Sequence, residues 1–382
     1  MARTYLDYNA TAPLRPEARA AMVAALDEVG NASSVHAEGR AARDRVERAR
    51  AAVARLVGAS PKCVTLTSGG TEANNTVLTP SWRDGKRGRE AALLFRGATE
   101  HPSVMAGGGY MADEISTIPV DGEGVIDLDA LRRMVGSGSA SALLSVMLAN
   151  NETGTIQPVA EVAEIAHGVA ALAHSDVTQA VGRIPVDIKA LKADVITLSA
   201  HKIGGPQGVG AIVRAREDLA FEPLLTGGGQ ERRLRAGTEN VAAIAGFGAA
   251  AEAALADLDR TAEWAGWRDR LAEIAGPKAT IFSAGAPRLP QTLCLAMPGI
   301  PAETLVIALD LAGVAVSSGS ACSSGKVTPS HVLAAMGVEP DLAKCAIRLS
   351  MGWQSSADDL DSFATAWKAV LKHLSPGEIQ AA

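Results

Sequence analysis

The amino-acid sequence predicts an α/β fold: a large domain with a largely parallel sheet, joined to a smaller α+β domain. Three observations lead there. Short continuous apolar runs alternate with helix-like stretches through most of the chain, as strands buried on both faces do between crossover helices. Distinctive polar residues, Asn150, Asp176 and Lys202, stand just after three of these runs, at the strand ends where such sheets bind ligands. Beyond about residue 245 the composition shifts to Ala-rich helix and then to a new strand-like run.

In chain order, residues 16–29 and 38–57 read as helices. The second sets Val46, Val53, Leu56 and Val57 against a charged, solvated face. Residues 63–67 form a buried strand and 71–78 a helix, followed by strands at 92–95 and 142–148. A helix at 159–167 leads to strands at 169–173, 195–198 and 210–213. The Ala-rich helix 241–258 opens the last part, with a strand at 292–296, a helix from Pro301, a half-buried strand around Arg348 and a final helix at 358–374. We assign residues 15–255 to the large domain, and residues 256–382 with the N-terminal arm 1–14 to the smaller one.

The 382 residues, 47% of them hydrophobic, are enough for such a core without disulfides or structural metals. A formal charge of −6 gives no electrostatic reason to expect nucleic acid or an anionic membrane as a primary ligand. The start lacks a secretory apolar stretch, and the 241–258 run is interrupted by Glu252 and Asp257, so the expectation is a cytoplasmic protein. Cys63, Cys294, Cys322 and Cys345 form no C-x-x-C pair and do not cluster with histidines, so no metal site is expected.

Lys202 is the most informative residue. It ends Ser199-Ala200-His201-Lys202 after the run Val195-Ile196-Thr197-Leu198, and follows Asp176-Val177-Thr178-Gln179 at a distance suited to parallel strands. Pyridoxal 5'-phosphate needs an amine for its aldehyde, a carboxylate for its pyridine nitrogen and donors for its phosphate. Lys202, Asp176 and the pair Ser199 and His201 could supply these in turn; the alternative for Lys202 is a solvated surface charge at a strand end, which its neighbours argue against. Ser68-Gly69-Gly70-Thr71 before the 71–78 helix reads either as an ordinary turn or, paired with Ser199 and His201, as a phosphate cradle in which glycines admit the anion and free amides with the Thr71 hydroxyl point at it.

Other candidates have competing explanations. His101, after the 92–95 strand, either stacks on the pyridine ring, moves protons, or is an ordinary loop histidine. Asn150-Asn151-Glu152-Thr153-Gly154 offers amides to the cofactor's phenolic oxygen or a substrate carboxylate, or forms only an Asx turn. Arg348, flanked by apolar residues, needs an anion, either a substrate carboxylate or a structural partner. The cluster Arg232-Arg233-Leu234-Arg235 reads as an exposed face or subunit contact. Cys322 lies among small polar residues in Ser317-Ser318-Gly319-Ser320-Ala321-Cys322-Ser323-Ser324-Gly325-Lys326, which reads as an accessible loop thiol needing help to ionise. A lysine-held cofactor together with a loop thiol fits sulfur abstraction from cysteine.

The strings Tyr5-Leu6-Asp7-Tyr8-Asn9-Ala10-Thr11, Thr67-Ser68-Gly69-Gly70-Thr71-Glu72, Glu100-His101, Asn150 to Gly154, Asp176 to Gln179, Ser199 to Lys202, Arg235-Ala236-Gly237-Thr238-Glu239-Asn240, Ser317 to Cys322 and Ile347-Arg348-Leu349-Ser350 resemble those of the cysteine desulfurases. The resemblance implies a fold-type I pyridoxal-phosphate enzyme of the class V aminotransferase group. Its large domain would hold a mainly parallel seven-stranded sheet, and it would act as a homodimer with the active site at the interface. Lys202 would bind the cofactor covalently, Asp176 would pair with its pyridine nitrogen and His101 would stack on it. Gln179 and Asn151 would contact the phenolic oxygen, Gly70, Thr71, Ser199 and His201 the phosphate, and Thr238 the phosphate of the neighbouring subunit. Arg348, with Asn151, would bind the substrate carboxylate, and Cys322 would accept sulfur.

The implied reaction takes sulfur from L-cysteine, moving the α-proton with Lys202 or His101 and leaving L-alanine and a persulfide on Cys322. The long loop after Cys322 resembles the branch serving iron–sulfur assembly or nitrogen fixation, so a sulfur-acceptor protein such as an iron–sulfur scaffold is expected. The few residues after Leu374 show no counterpart of a scaffold-docking tail. A selenocysteine lyase, an aminotransferase of the same fold and a non-catalytic sulfur relay are the alternatives.

Overall fold

The computed structural model describes residues 3–136, 141–319 and 330–374. Its main sheet has seven strands: β1 (Val64–Thr67), β2 (Leu93–Gly97), β3 (Ile115–Ile118), β4 (Ala142–Ser145), β5 (Leu172–Asp176), β6 (Val195–Ser199) and β7 (Gly210–Arg214). They are ordered β1-β7-β6-β5-β4-β2-β3. β7 is antiparallel to both β1 and β6, and every other pairing is parallel. β1 therefore runs the same way as the parallel strands, and the carboxyl ends of β1, β2, β4, β5 and β6 share one edge.

Helices cover this sheet as its apolar faces require: α1 (Pro16–Leu26), α2 (Ala37–Leu56), α3 (Gly70–Val77), α4 (Val159–Gly168) and α5 (Val241–Ala256). Residues Val241–Ala275 are long and apolar enough to cross a membrane by length and composition. In the fold, α5 packs against α1 and α2 and buries Ile244, Phe247, Ala250 and Ala251 in the first core.

After the turn Asp257–Arg260, α6 (Thr261–Ala275) joins a second core. There a four-stranded antiparallel sheet, ordered β8 (Thr280–Ile281), β9 (Thr292–Ala296), β11 (Ala346–Ser350), β10 (Ser317–Ser318), packs with α7 (Ala302–Leu311) and α8 (Ala357–His373). The N-terminal arm belongs to this core. Thr4–Tyr5 pairs in parallel with Val314–Ala315, Leu6 is fully buried, and Ser350 N–H donates to Leu6 O at 2.8 Å.

Three local features differ from the sequence reading. The strand expected at 169–173 begins at Leu172, because Val169 ends α4 and Ala170 takes a left-handed φ of 60°. β3 carries Ser116 and Thr117 on a sheet edge, which masks its apolar signal. A three-stranded sheet of Ser81–Asp84, Arg87–Glu90 and Leu219–Phe221 was not expected either, since its hairpin is mostly charged and exposed.

Candidate active site

The shared carboxyl edge opens into a cavity of about 260 Å³. Two adjacent parallel strands set its centre. Asp176 is the last residue of β5, and Lys202 ends the single turn Ala200–Lys202 that directly follows β6. Lys202 Nζ donates to Asn9 O at 2.7 Å and Ala10 O at 2.6 Å, so the N-terminal arm closes over the amine. Asp176 Oδ1 accepts from Thr178 N at 2.9 Å and Oδ2 from Asn74 Nδ2 at 2.8 Å.

At one end, β1 runs through Gly69 into α3. Gly69 has φ 155°, outside the range side chains favour, and this turns Gly70 and Thr71 toward the cavity. Gly210 makes the approach possible, because a Cβ there would lie 2.6 Å from Gly69 C and 2.7 Å from Leu198 O. Ser199, Thr178 and His201 face the same end of the cavity. A Cβ on Gly70 would stand 3.4 Å from Ser199 Cβ and 3.5 Å from Thr178 Oγ1, a buried hydroxyl with no partner among the described residues. Burial pushes His201 down to about 4, aided by Lys202, Arg183 and His101, so it is a neutral donor or acceptor.

His101 caps the short helix Pro102–Met105. Its Nδ1 lies 2.7 Å from Ser103 Oγ and accepts from Ser103 N at 3.2 Å. Burial holds its pKa below the usual imidazole range, partly opposed by Asp176. Gln179 Nε2 donates to Asn9 O at 3.0 Å, and its Oε1 accepts from Arg183. Arg183 is a buried guanidinium whose remaining contacts are neutral oxygens of Tyr8, Asn9, Gln179 and Lys202.

Arg348 closes the far end from β11, 1% exposed. It donates from Nη1 to Asn151 O at 2.9 Å and from Nη2 to Asp7 Oδ1 at 2.7 Å. Asn151 lines the cavity, whereas Asn150 does not. Asn150 Oδ1 accepts from Glu152 N and Thr153 N, the Asx turn that was the alternative reading.

Of the sequence candidates, Gly70, Thr71, His101, Asn151, Asp176, Gln179, Ser199, His201, Lys202 and Arg348 thus line one cavity. Thr238 does not, standing exposed after a loop that passes through left-handed backbone at Glu231, Arg232 and Arg233. Two-pronged bonds from Arg50 to Glu231, 2.6 and 2.8 Å, hold that loop, and Arg235 ties it to Glu72 of α3 at 2.9 Å. Arg235 is therefore paired, while Arg232 and Arg233 are exposed. Cys322 lies outside the described residues. Cys63, Cys294 and Cys345 are buried, as packing residues would be. Sequence reading missed Asn9, Asn74, Ser103 and Thr178; Asn74 carried the one usable signal, an amide inside the predicted 71–78 helix.

This donor set fits pyridoxal 5'-phosphate. An amine and a carboxylate stand at the ends of neighbouring strands, and the cradle at the start of α3 leaves room beside the orphaned Thr178 hydroxyl.

The class-V aminotransferase model matches residues 4–363, and the chain belongs to that pyridoxal-phosphate-dependent family. A cysteine desulfurase from Cereibacter sphaeroides is 42% identical over 370 residues, covering 94% of each chain. The cysteine desulfurase IscS of Dictyoglomus turgidum is 38% identical, covering 97% of this chain and 95% of its own. Among solved structures, the NifS-like protein from Rickettsia africae superposes with a TM-score of 0.84 at 35% identity, covering 97% of this chain and 99% of its own.

Proposed function

We propose that this protein is a pyridoxal-phosphate-dependent cysteine desulfurase: it removes sulfur from L-cysteine, releases L-alanine and passes the sulfur on. The observation that carries this reading is the convergence of Lys202, Asp176 and Arg348 in one cavity. An amine and a carboxylate suit the cofactor, and a buried guanidinium suits an amino acid's carboxylate.

When bound, the cofactor would supply an electron sink for the substrate's α-carbon. Lys202 would hold the cofactor and would take the substrate's α-proton on Nζ. Asp176 would keep the pyridine nitrogen protonated. Gly70, Thr71, Ser199 and His201 would hold the phosphate, Gln179 and Asn151 the phenolic oxygen, and His101 would lie against the ring. Arg348 would orient the substrate carboxylate. Cys322, as thiolate, would accept the sulfur: a sulfur–sulfur bond forms as the bond from sulfur to the substrate's β-carbon breaks, the β-carbon takes up a proton, and Lys202 returns the α-proton so that L-alanine leaves. Thr238 serves the phosphate site of a second copy in a homodimer. The onward acceptor is a protein thiol or scaffold of iron–sulfur assembly, in the cytoplasm.

The test is to incubate the purified protein with L-cysteine and a thiol, and to quantify alanine and sulfide. We expect equal amounts of both from the wild type, and neither from Lys202→Ala. A wild type that carries the cofactor yet forms no alanine would contradict the reading.

A further inference from the structure

The buried polar chain behind His101 has a direction that its atoms dictate. A carboxylate oxygen only accepts, so the Asn74 atom 2.8 Å from Asp176 Oδ2 is the amide nitrogen Nδ2. That nitrogen gives its second hydrogen to Ser103 Oγ at 2.9 Å. The Ser103 hydroxyl hydrogen is then available to His101 Nδ1, 2.7 Å away, where the Ser103 backbone N–H also donates at 3.2 Å. Nδ1 thus receives two hydrogens and carries none.

The chain closes consistently on the other side. Asn74 Oδ1 accepts the Thr197 hydroxyl, leaving Thr197 Oγ1 to accept from His174 Nε2 at 3.0 Å. His174 Nδ1 then accepts from the Ser145 hydroxyl at 2.8 Å. Asn74, Ser145, His174 and Thr197 are at most 1% exposed, so no solvent is at hand to reverse the order.

We propose that Asn74, acting through Ser103, is a positioning residue: one amide group links the Asp176 carboxylate to the His101 ring and leaves that ring's proton on Nε2. This rests on the desulfurase reading and decides a point within it. A neutral His101 with its proton on Nε2 has no open lone pair for a substrate proton, so it enters the reaction as a donor, and Lys202 is the base. The charged and titratable groups acting on His101 agree: burial and the nearby Lys202 and His331 disfavour its cation more than Asp176 favours it, and His201 is itself held neutral.

The experiment is long-range proton–nitrogen NMR on the full-length holoenzyme labelled in its histidines, with His101 assigned by loss of its signals in His101→Gln. The expected result is a neutral ring with hydrogen on Nε2 at neutral pH. Ser103→Ala, which keeps the Asn74 bond to Asp176, should raise the His101 titration midpoint by about one pH unit without moving the cofactor's visible absorbance. Asn74→Asp should turn the Ser103 hydroxyl toward position 74 and withdraw one of the two hydrogens that Nδ1 receives, so the His101 midpoint should rise as it does in Ser103→Ala. Hydrogen on Nδ1 in the wild type, or an unmoved midpoint in Ser103→Ala, would overturn the proposal. Both of these remain measurable should Asn74→Asp fail to fold. Alanine release by the same wild-type sample reports separately on the desulfurase reading, which can fail while the tautomer stands, or stand while the tautomer fails.

Discussion

Arg348 Nη2 donates to Asp7 Oδ1 at 2.7 Å, so the guanidinium at the far end of the cavity is already held by a carboxylate of the N-terminal arm. Arg348 therefore has the structural anion that was one of its two sequence explanations, and it also lines the cavity. A substrate carboxylate bound there, as proposed, would share this cation with Asp7.

That sharing makes KM the sensitive quantity. Arg348→Lys keeps the charge but loses the fixed fork that reaches Asn151 and Asp7 together, and should raise KM for L-cysteine about tenfold or more. Asp7→Asn removes the competing charge while keeping an acceptor for Nη2, and should lower KM. Initial rates of alanine formation measure both, and an unchanged KM in both variants would remove Arg348 from the substrate site.

The neutral histidines make folding sensitive to acid. Burial holds His174 and His201 at about 4, against about 6.5 in an unfolded chain. Their contribution is complete above about pH 6.5 and is lost as pH falls toward 4, where the unfolded chain binds more protons. For the fully buried His174 this amounts to roughly 3 kcal/mol. Urea midpoints of the cofactor-free protein should fall steeply between pH 6.5 and 4, and His174→Gln should flatten that slope.

Glu152 acts with the opposite sign. Burial lifts its carboxyl to about 7, despite the Ser330 hydroxyl and Arg348, which oppose the rise. The folded protein holds this proton after the unfolded chain has lost it, so the destabilisation grows from about pH 4.5 and is complete above about 7, at roughly 3 kcal/mol. Glu152→Gln, which preserves a partner for Ser330, should match the wild type near pH 4 and be the more stable protein above pH 7. Equal urea midpoints at pH 8 would contradict this.

Gly210 tests the packing beneath the turn that leads into α3. Alanine there places a methyl against the backbone of Gly69 and Leu198, which cannot swing aside as a side chain would. We expect about 2 kcal/mol of destabilisation and weaker cofactor retention, read by urea unfolding and by visible absorbance after dialysis.

Much of this site was legible in the sequence because strand-end chemistry is local. Lys202 and Ser199 adjoin one apolar run, and Asp176 follows another. What could not be read there depends on partners far apart in the chain. Asn74 meets Asp176 across 102 positions, and Arg348 meets Asp7 across 341. No local periodicity encodes those meetings. Asn150 was placed beside the site because its strand ends there, yet its side chain turns back to cap its own loop.

The central claim is that sulfur leaves cysteine for Cys322. The most direct measurement is mass spectrometry of the Cys322 peptide after one turnover with L-cysteine, alongside alanine release by Cys322→Ala. The account predicts one added sulfur atom on Cys322 in the wild type and loss of alanine formation in the variant; an unmodified Cys322 with undiminished alanine from Cys322→Ala would contradict it.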